Sequence, residues 1–196
     1  MNRRSILRSA AYAAFFTFVL TTSFACGGGG GDGTTGVLTA SFAADTPSPG
    51  ANTIAMLPGS VSATDFNVRI TLTGTNDVYG AAFDITYPSA LVSYQSFDSS
   101  GSFLRDGGVG NSGLFFNVDA VTEPGRLIVA ATRLGALPGV DVSGTRDLLI
   151  LSFRARTSFA STPISFDAGQ PRVVRDNLDQ PIAVTWSSGT ASASTN

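Results

Sequence analysis

The segment NDVYGAAFDITYP, residues 76–88, begins with a turn signal, continues in strict alternation and ends at a proline. Over residues 79–87 the odd-numbered positions are apolar or aromatic, and the even-numbered positions are small or polar: Gly80, Ala82, Asp84 and Thr86. Because successive side chains of a strand point to opposite faces, this pattern predicts a strand with one face in a core. The other face is unusually small and flat, which raises the question of what it contacts.

The rest of the chain repeats this kind of short strand. Apolar runs separated by turn signals predict strands at 37–43, 53–57, 66–73, 79–87, 91–97, 114–119, 126–133, 148–156, 164–167, 172–175 and 182–186. No segment has sustained helical periodicity. A chain of 196 residues with 43% hydrophobic and 13% charged residues therefore predicts one all-β sandwich or barrel with appendages.

The charged residues exclude several functions. All 12 basic residues are arginine, and the chain contains no histidine, which excludes catalytic triads, general bases and metal sites that use histidine. The formal net charge is −2. Without the leader described next, the chain would contain nine arginines and 14 acidic residues, which gives a net charge of −5. With no basic cluster left, nucleic acid is not an expected partner.

The first 25 residues have the pattern of an export signal. Arg3, Arg4 and Arg8 precede an uncharged apolar run over 10–24 that ends at small residues and is short for a membrane span. The sequence NRRSILR also resembles a twin-arginine signal, so both the Sec and the twin-arginine route remain open. We expect residues 1–25 to be a cleaved signal peptide.

Cys26, the only cysteine, directly follows this signal. The sequence SFAC at 23–26 resembles a bacterial lipobox, although Ser23 stands where leucine is commonest, and it also fits ordinary signal peptidase. The lipobox interpretation makes Cys26 the lipid attachment site and 26–36 a glycine-rich tether. The membrane would then be contacted through the lipid only, and the protein would lie in a bacterial cell envelope, at the outer membrane in a Gram-negative cell.

The order of the pieces that follow resembles a cohesin domain. The matching segments are NDVYGAAFDITYPSALVSYQSF, GSFL, GRLIVAATRLGALPGVDVSGTRDLLILSFRA and the late DNLDQPI. The resemblance covers about 37–186. It implies a two-sheet jelly-roll β-sandwich of about nine strands, related in fold to carbohydrate-binding modules, in which one sheet binds a dockerin. We expect residues 187–196, which are polar, to be a disordered tail.

The resemblance also implies a position for the partner-binding face. It places the strands that contain residues 80–84, 128–132 and 150–154 in one sheet. Strand parity then gives a flat outward face that is partly apolar and edged by charge: Gly80, Ala82, Asp84, Ile128, Ala130, Thr132, Ile150, Ser152 and Arg154. Such a face suits a protein partner better than a small ligand, although an ordinary solvated sheet face would look similar. Phe83, Ile85, Leu127, Val129, Leu151 and Phe153 are expected to be buried beneath it.

Other candidate sites are weaker. Asp84, Asp119 and Asp147 could supply a carboxylate pair, but acidic residues scattered over strands and turns do not define a catalytic site. Asp176, Asn177 and Asp179 resemble a short calcium-ligand run, but the rest of an EF-hand loop is missing and an Asx-rich turn is the simpler interpretation. We therefore expect no catalytic residue, no metal site and no cofactor.

The function that these observations predict is recognition. We expect a non-enzymatic cohesin-like module of the cell envelope that docks a dockerin-type or similar protein, with any calcium belonging to that partner. Its setting would be polysaccharide degradation or surface assembly. The alternative is a surface carbohydrate-binding module of the same fold, which would need a row of exposed aromatic rings. Tyr79, Tyr87 and Trp186 are instead expected in the core or at its rim.

Overall fold

The computed structural model of the chain describes residues 36–120 and 123–196. The predicted signal peptide, Cys26 and nearly all of the tether lie outside these residues. Thirteen strands are present in the described part: β1 Leu38–Ala44, β2 Thr53–Ser62, β3 Asp65–Val78, β4 Gly80–Thr86, β5 Val92–Asp98, β6 Leu114–Asp119, β7 Arg126–Arg133, β8 Val140–Ala155, β9 Phe159–Phe166, β10 Val173–Arg175, β11 Pro181–Ile182, β12 Thr185–Ser187 and β13 Gly189–Thr195.

The strands form the two sheets of a β-sandwich, as predicted. One sheet has eight strands and runs β1–β13–β9–β4, with β7 and then β6 on the far side of β4. The short β10 continues beside β4 where β9 ends, and β11 pairs with β10. The other sheet has the order β12–β2–β3–β8–β5. The strand count exceeds nine because three of the strands have only two or three residues and because β13 was not predicted.

The core lies between the sheets and follows the predicted parity. Phe83, Ile85, Leu127, Val129, Leu151 and Phe153 are each at most 1% exposed, as expected. Phe66 stacks on Phe153 with ring centroids 5.7 Å apart, and Trp186 packs edge-to-face on Phe83 and Phe166 at the rim. Two 3₁₀ turns, Phe103–Arg105 and Asn111–Gly113, are the helical pieces among the described residues. Phe103 and Leu104 insert into the core from the first of these turns.

The C-terminal segment corrects the prediction of a disordered tail at 187–196. Residues of β13 pair with β1 on one side and β9 on the other, so this strand lies inside the eight-stranded sheet. Ala191 and Ala193 are buried, and Gly189 lies against the ring of Phe42, where a side chain would not fit. Small residues can therefore complete a sheet through backbone hydrogen bonds, and the domain extends to Thr195 rather than ending at 186.

None of the helical pieces in the described residues is long and apolar enough to cross a membrane.

Candidate partner-binding face

The outward side of four neighbouring strands forms one continuous surface, which we call the β4 face. The register of β6, β7, β4 and β10 arranges its residues in three rows. These rows are Phe115–Thr132–Gly80–Arg175, Asn117–Ala130–Ala82–Val173 and Asp119–Ile128–Asp84. The predicted residues on β4 and β7 therefore do lie together on one face.

The centre of the β4 face is low because its residues are small. Gly80, Ala82, Ala130 and Val173 line a concavity of about 320 Å³. Gly80 has no room for a side chain, because a Cβ atom there would lie 2.9 Å from the carbonyl oxygen of Ala131 and as close to Thr132. Gly80 is thus buried by its neighbours, whereas Ala82 is exposed at the floor. The small even-numbered residues of the 76–88 segment therefore create a shallow depression in the sheet.

Exposed apolar side chains surround this depression. Phe115 on β6 is 47% exposed, and Leu134, which continues the outward parity of β7, is 43% exposed. Leu178, in the turn between β10 and β11, is 73% exposed. Residues of the same turn line the concavity. Large apolar side chains around a hollow of small residues are typical of a protein-recognition surface.

The turn that carries Leu178 is held in one conformation by hydrogen bonds. Asp176 Oδ1 accepts the N–H groups of Leu178 at 2.9 Å and Gln180 at 2.7 Å. The Arg175 guanidinium donates to the carbonyl oxygen of Asp179 at 2.6 Å. Asp176 is therefore the acceptor of an Asx turn, as the simpler interpretation of this run predicts. Within the described residues, no group of three acidic, histidine or cysteine side chains could hold a metal ion.

Asp84 corrects one detail of the predicted face. Its parity is outward, but it is only 7% exposed because Arg126 covers it, with Arg126 Nε 2.8 Å from Asp84 Oδ2. Arg126 also donates to Glu123 at 3.1 Å. The hydrogen bonds to Asp84 and then to Glu123 raise the pKa of Arg126. A partner would consequently contact this ion-paired cluster and not the Asp84 carboxylate alone.

The prediction that all nine face residues share one sheet is wrong for three of them: Ile150, Ser152 and Arg154. They point outward, but β8 pairs with β3 and β5 in the five-stranded sheet, on the opposite side of the sandwich. Arg154 forms an ion pair there with Asp65 at 2.6 Å, and this hydrogen bond lowers the pKa of Asp65. The prediction that these residues point outward was right, but the prediction of the sheet to which β8 belongs was wrong.

Of the three carboxylates considered for a catalytic pair, Asp147 is placed apart from the other two. Asp147 lies on β8 and forms an ion pair with Arg69 at 2.7 Å, whereas Asp84 and Asp119 lie on the β4 face. Asp84 is engaged by Arg126. Asp84 and Asp119 lie in one row of that face, on either side of Ile128, and Asp84 serves there as an ion-pair acceptor.

Sequence reasoning missed several residues of this surface, among them Phe115, Leu134, Val173 and Leu178. A signal for Phe115 was available, because LFFNVD at 114–119 places two phenylalanines on opposite sides of one strand. Only one of them can face a core. No comparable local signal places Leu178 beside β4, since the pairing of β10 with β4 joins residues far apart in sequence.

Solved structures of cohesins have a fold similar to this architecture. No protein-family model matches the sequence, and no curated protein matches it. The fold is similar to the sixth cohesin of Acetivibrio cellulolyticus scaffoldin B, solved in complex with a Cel5 dockerin mutant, with 20% identity and a TM-score of 0.53 over 77% of this chain and 96% of that one. It is also similar to the cohesin of the Clostridium thermocellum Coh-OlpA–Doc918 complex, with 18% identity and a TM-score of 0.53 over 71% and 97% of the two chains.

A third structure, the cohesin CaCohA2 from Clostridium acetobutylicum in solution, has 18% identity and a TM-score of 0.52 over 72% of this chain and 90% of that one. At these identities the likeness defines the fold. The chain has a cohesin-like fold.

Proposed function

We propose that this chain is a non-enzymatic recognition module that docks a dockerin-type protein partner on the β4 face. The observation that carries the proposal is the hollow of small residues at the centre of the face, surrounded by exposed apolar side chains. Phe115, Leu134 and Leu178 gather around this one hollow, and clustered apolar side chains, unlike singly scattered ones, mark interaction surfaces. Several cohesins of similar fold were solved in complex with dockerins, which supports the same class of partner.

The geometry suggests how docking would work. The low floor at Gly80, Ala82 and Ala130 lets a partner element approach the sheet backbone closely, while Phe115 and Leu178 become buried at the contact. Because the Leu178 turn is already ordered, binding loses little conformational entropy there. The chain supplies apolar anchors and a fixed shape, and a dockerin would bring its own calcium.

The carbohydrate-binding alternative lacks a supporting observation. A sugar platform needs exposed rings in a row, whereas Phe115 is the single aromatic residue in the three outward rows of the β4 face as the structure describes it. Trp186 packs on Phe83 and Phe166 at the core rim, and Arg172 lies 5.3 Å from its ring centroid. The apolar margin favours a protein partner.

We further propose that the module is exported and held at a bacterial cell envelope by a lipid on Cys26. The fold is compatible with attachment before β1, because β13 and β9 separate β1 from β4 within the eight-stranded sheet. An anchored module of this kind would hold a partner enzyme or structural protein at the cell surface, in polysaccharide degradation or in surface assembly.

Capture from an extract of the source cells tests the class of partner. Immobilised mature chain should retain a protein that carries paired calcium-binding loops, and a calcium chelator should release it, because dockerins fold around calcium. The Ala82→Arg variant should retain much less of the same protein. Retention that is indifferent both to the chelator and to Ala82→Arg would exclude dockerin-type docking on this face.

A further inference from the structure

The exposed edges of the two sheets differ in how they are protected. Strand β11 has two residues and begins with Pro181, and β12 has three residues. On β1, the Ala40 N–H group donates a hydrogen bond to the carbonyl oxygen of Ala63 at 2.8 Å. Strand β5 contains a bulge between Tyr94 and Ser96. Short length, proline, bulges and covering groups are the usual ways to prevent pairing at an edge.

Within the part of the chain that the structure describes, strand β6 has none of these protections. Its six residues, LFFNVD, keep an unbroken register with β7 and include neither a proline nor a basic residue. Asp119, at its end, is its only charged residue. Half of its residues, Phe115, Phe116 and Val118, are aromatic or β-branched, which favours pairing. Among the described residues, no second strand pairs with β6.

The direction of the free backbone groups follows from the ladder. Gly113 C=O accepts the N–H of Leu134 at 2.9 Å, so the groups of alternate residues, Phe115 and Asn117, point toward β7. The N–H and C=O groups of Phe116 and Val118 therefore point away from the sheet. No hydrogen bond from another described residue reaches these four groups.

The side chains of the same two residues are incompletely covered. Phe116 and Val118 point toward the core side and pack against it, yet both remain half-buried. The Arg105 guanidinium lies 5.6 Å from the Phe116 ring centroid and covers part of that ring. A further strand beside β6 would cover the remaining apolar surface and would satisfy the free backbone groups.

We propose that β6 pairs with β6 of a second copy of this chain, antiparallel about a two-fold axis at Asn117. In this register Phe116 of each copy lies opposite Val118 of the other copy. The N–H and C=O groups of Phe116 and Val118 on each strand are then all hydrogen-bonded. Phe116 and Val118 then form aromatic–β-branched cross-strand pairs, and the two Asn117 amides face each other.

Charge favours a second copy as the occupant. In this register Asp119 lies opposite the uncharged Phe115, and the two Asp119 residues are about 13 Å apart, four strand positions, so no like charges face each other. The contact is isologous, and it joins the two eight-stranded sheets edge to edge while leaving both β4 faces open.

Sedimentation velocity of the full chain carrying Cys26→Ala, from micromolar to millimolar concentration, tests the pairing. The chain should dimerise, and Val118→Pro should weaken the dimer at least about tenfold, because proline removes one free N–H group without touching the ladder to β7. Val118→Ala keeps the N–H and controls for loss of the side chain. Ala82→Arg should dimerise like the parent, which separates this contact from docking on the β4 face.

Disulfide formation tests the register independently of any folding defect in the proline variant. In the Cys26→Ala background, Asn117→Cys should oxidise to a covalent dimer, because residues facing each other across the axis are within disulfide reach. Gln95→Cys, at the exposed edge of the other sheet, should not. A monomer at all concentrations, a dimer indifferent to Val118→Pro, or equal cross-linking of the two cysteine variants would overturn the proposal.

Discussion

At the residue scale, parity along a strand separates side chains that hold the fold from side chains that face a partner. Phe83 and Ala82 are neighbours on β4, yet Phe83 is 1% exposed and Ala82 is exposed at the floor of the hollow. The sequence predicts this separation, because alternation is a local property. It does not predict that Arg126 covers the outward Asp84, since that depends on where a long side chain of another strand lies.

Two phenylalanines provide a direct test of this separation. Phe83→Ala should lower the free energy of unfolding by about 3–5 kcal/mol, because it leaves a cavity between the sheets. Phe115→Ala should change it by less than about 0.5 kcal/mol, because the ring lies at the surface. Urea unfolding measures both. A large loss for Phe115→Ala would show that its ring supports the fold.

At the element scale, strand position was predictable and sheet membership was not. Local alternation and turn signals predict bounds for β4, β6 and β7 that are close to the observed ones. The placement of β8 beside β3 and β5 depends on pairings between distant residues, such as Ile150 with Arg69, to which no local pattern points. Strand β13 was missed because its alanines, serines and threonines have the composition of a polar tail.

Adjacent residues of β13 test its role in the sheet. Ala191 is fully buried and Ser192 is not. Ala191→Asp should cost more than about 3 kcal/mol, because it buries a carboxylate without a partner. Ser192→Asp should leave the melting temperature nearly unchanged. Equal, small effects of the two substitutions would mean that residues 189–195 do not form an internal strand.

Ion pairs between aspartate and arginine side chains make stability depend on pH in acid. The hydrogen bond from Arg146 lowers the pKa of Asp106, and the hydrogen bond from Arg154 lowers that of Asp65. A carboxyl group with a lowered folded-state pKa stabilises the fold above its unfolded pKa and loses this effect as pH falls through the folded value. The free energy of unfolding should therefore decline below about pH 4.

The Asp106→Asn variant should show a shallower decline over that range. Urea unfolding at a series of pH values measures the slope. If Asp106→Asn keeps the parent's slope, the Asp106–Arg146 pair does not contribute to acid sensitivity.

At the scale of the whole molecule, we propose that a leader and a tether precede the recognition domain. The described ends of the domain lie side by side, since the N–H of Asn196 donates to the carbonyl oxygen of Val37 at 3.3 Å. We predict that the mature chain begins at Cys26 with a lipid attached. Mass spectrometry of the membrane fraction should detect an acylated Cys26 peptide, and Cys26→Ala should move the protein to the aqueous phase. A mature chain with an unmodified Cys26 would contradict the anchor.

The central claim is that the β4 face is the docking surface. The most direct test is calorimetric titration of the partner recovered in the capture experiment against two arginine variants that both fold. Ala82→Arg fills the hollow and should weaken binding at least about a hundredfold, which corresponds to about 2.7 kcal/mol. Ser152→Arg places the same side chain outward on the five-stranded sheet and should bind like the parent. If Ser152→Arg abolishes binding while Ala82→Arg binds normally, the partner docks on the opposite sheet and the account is wrong.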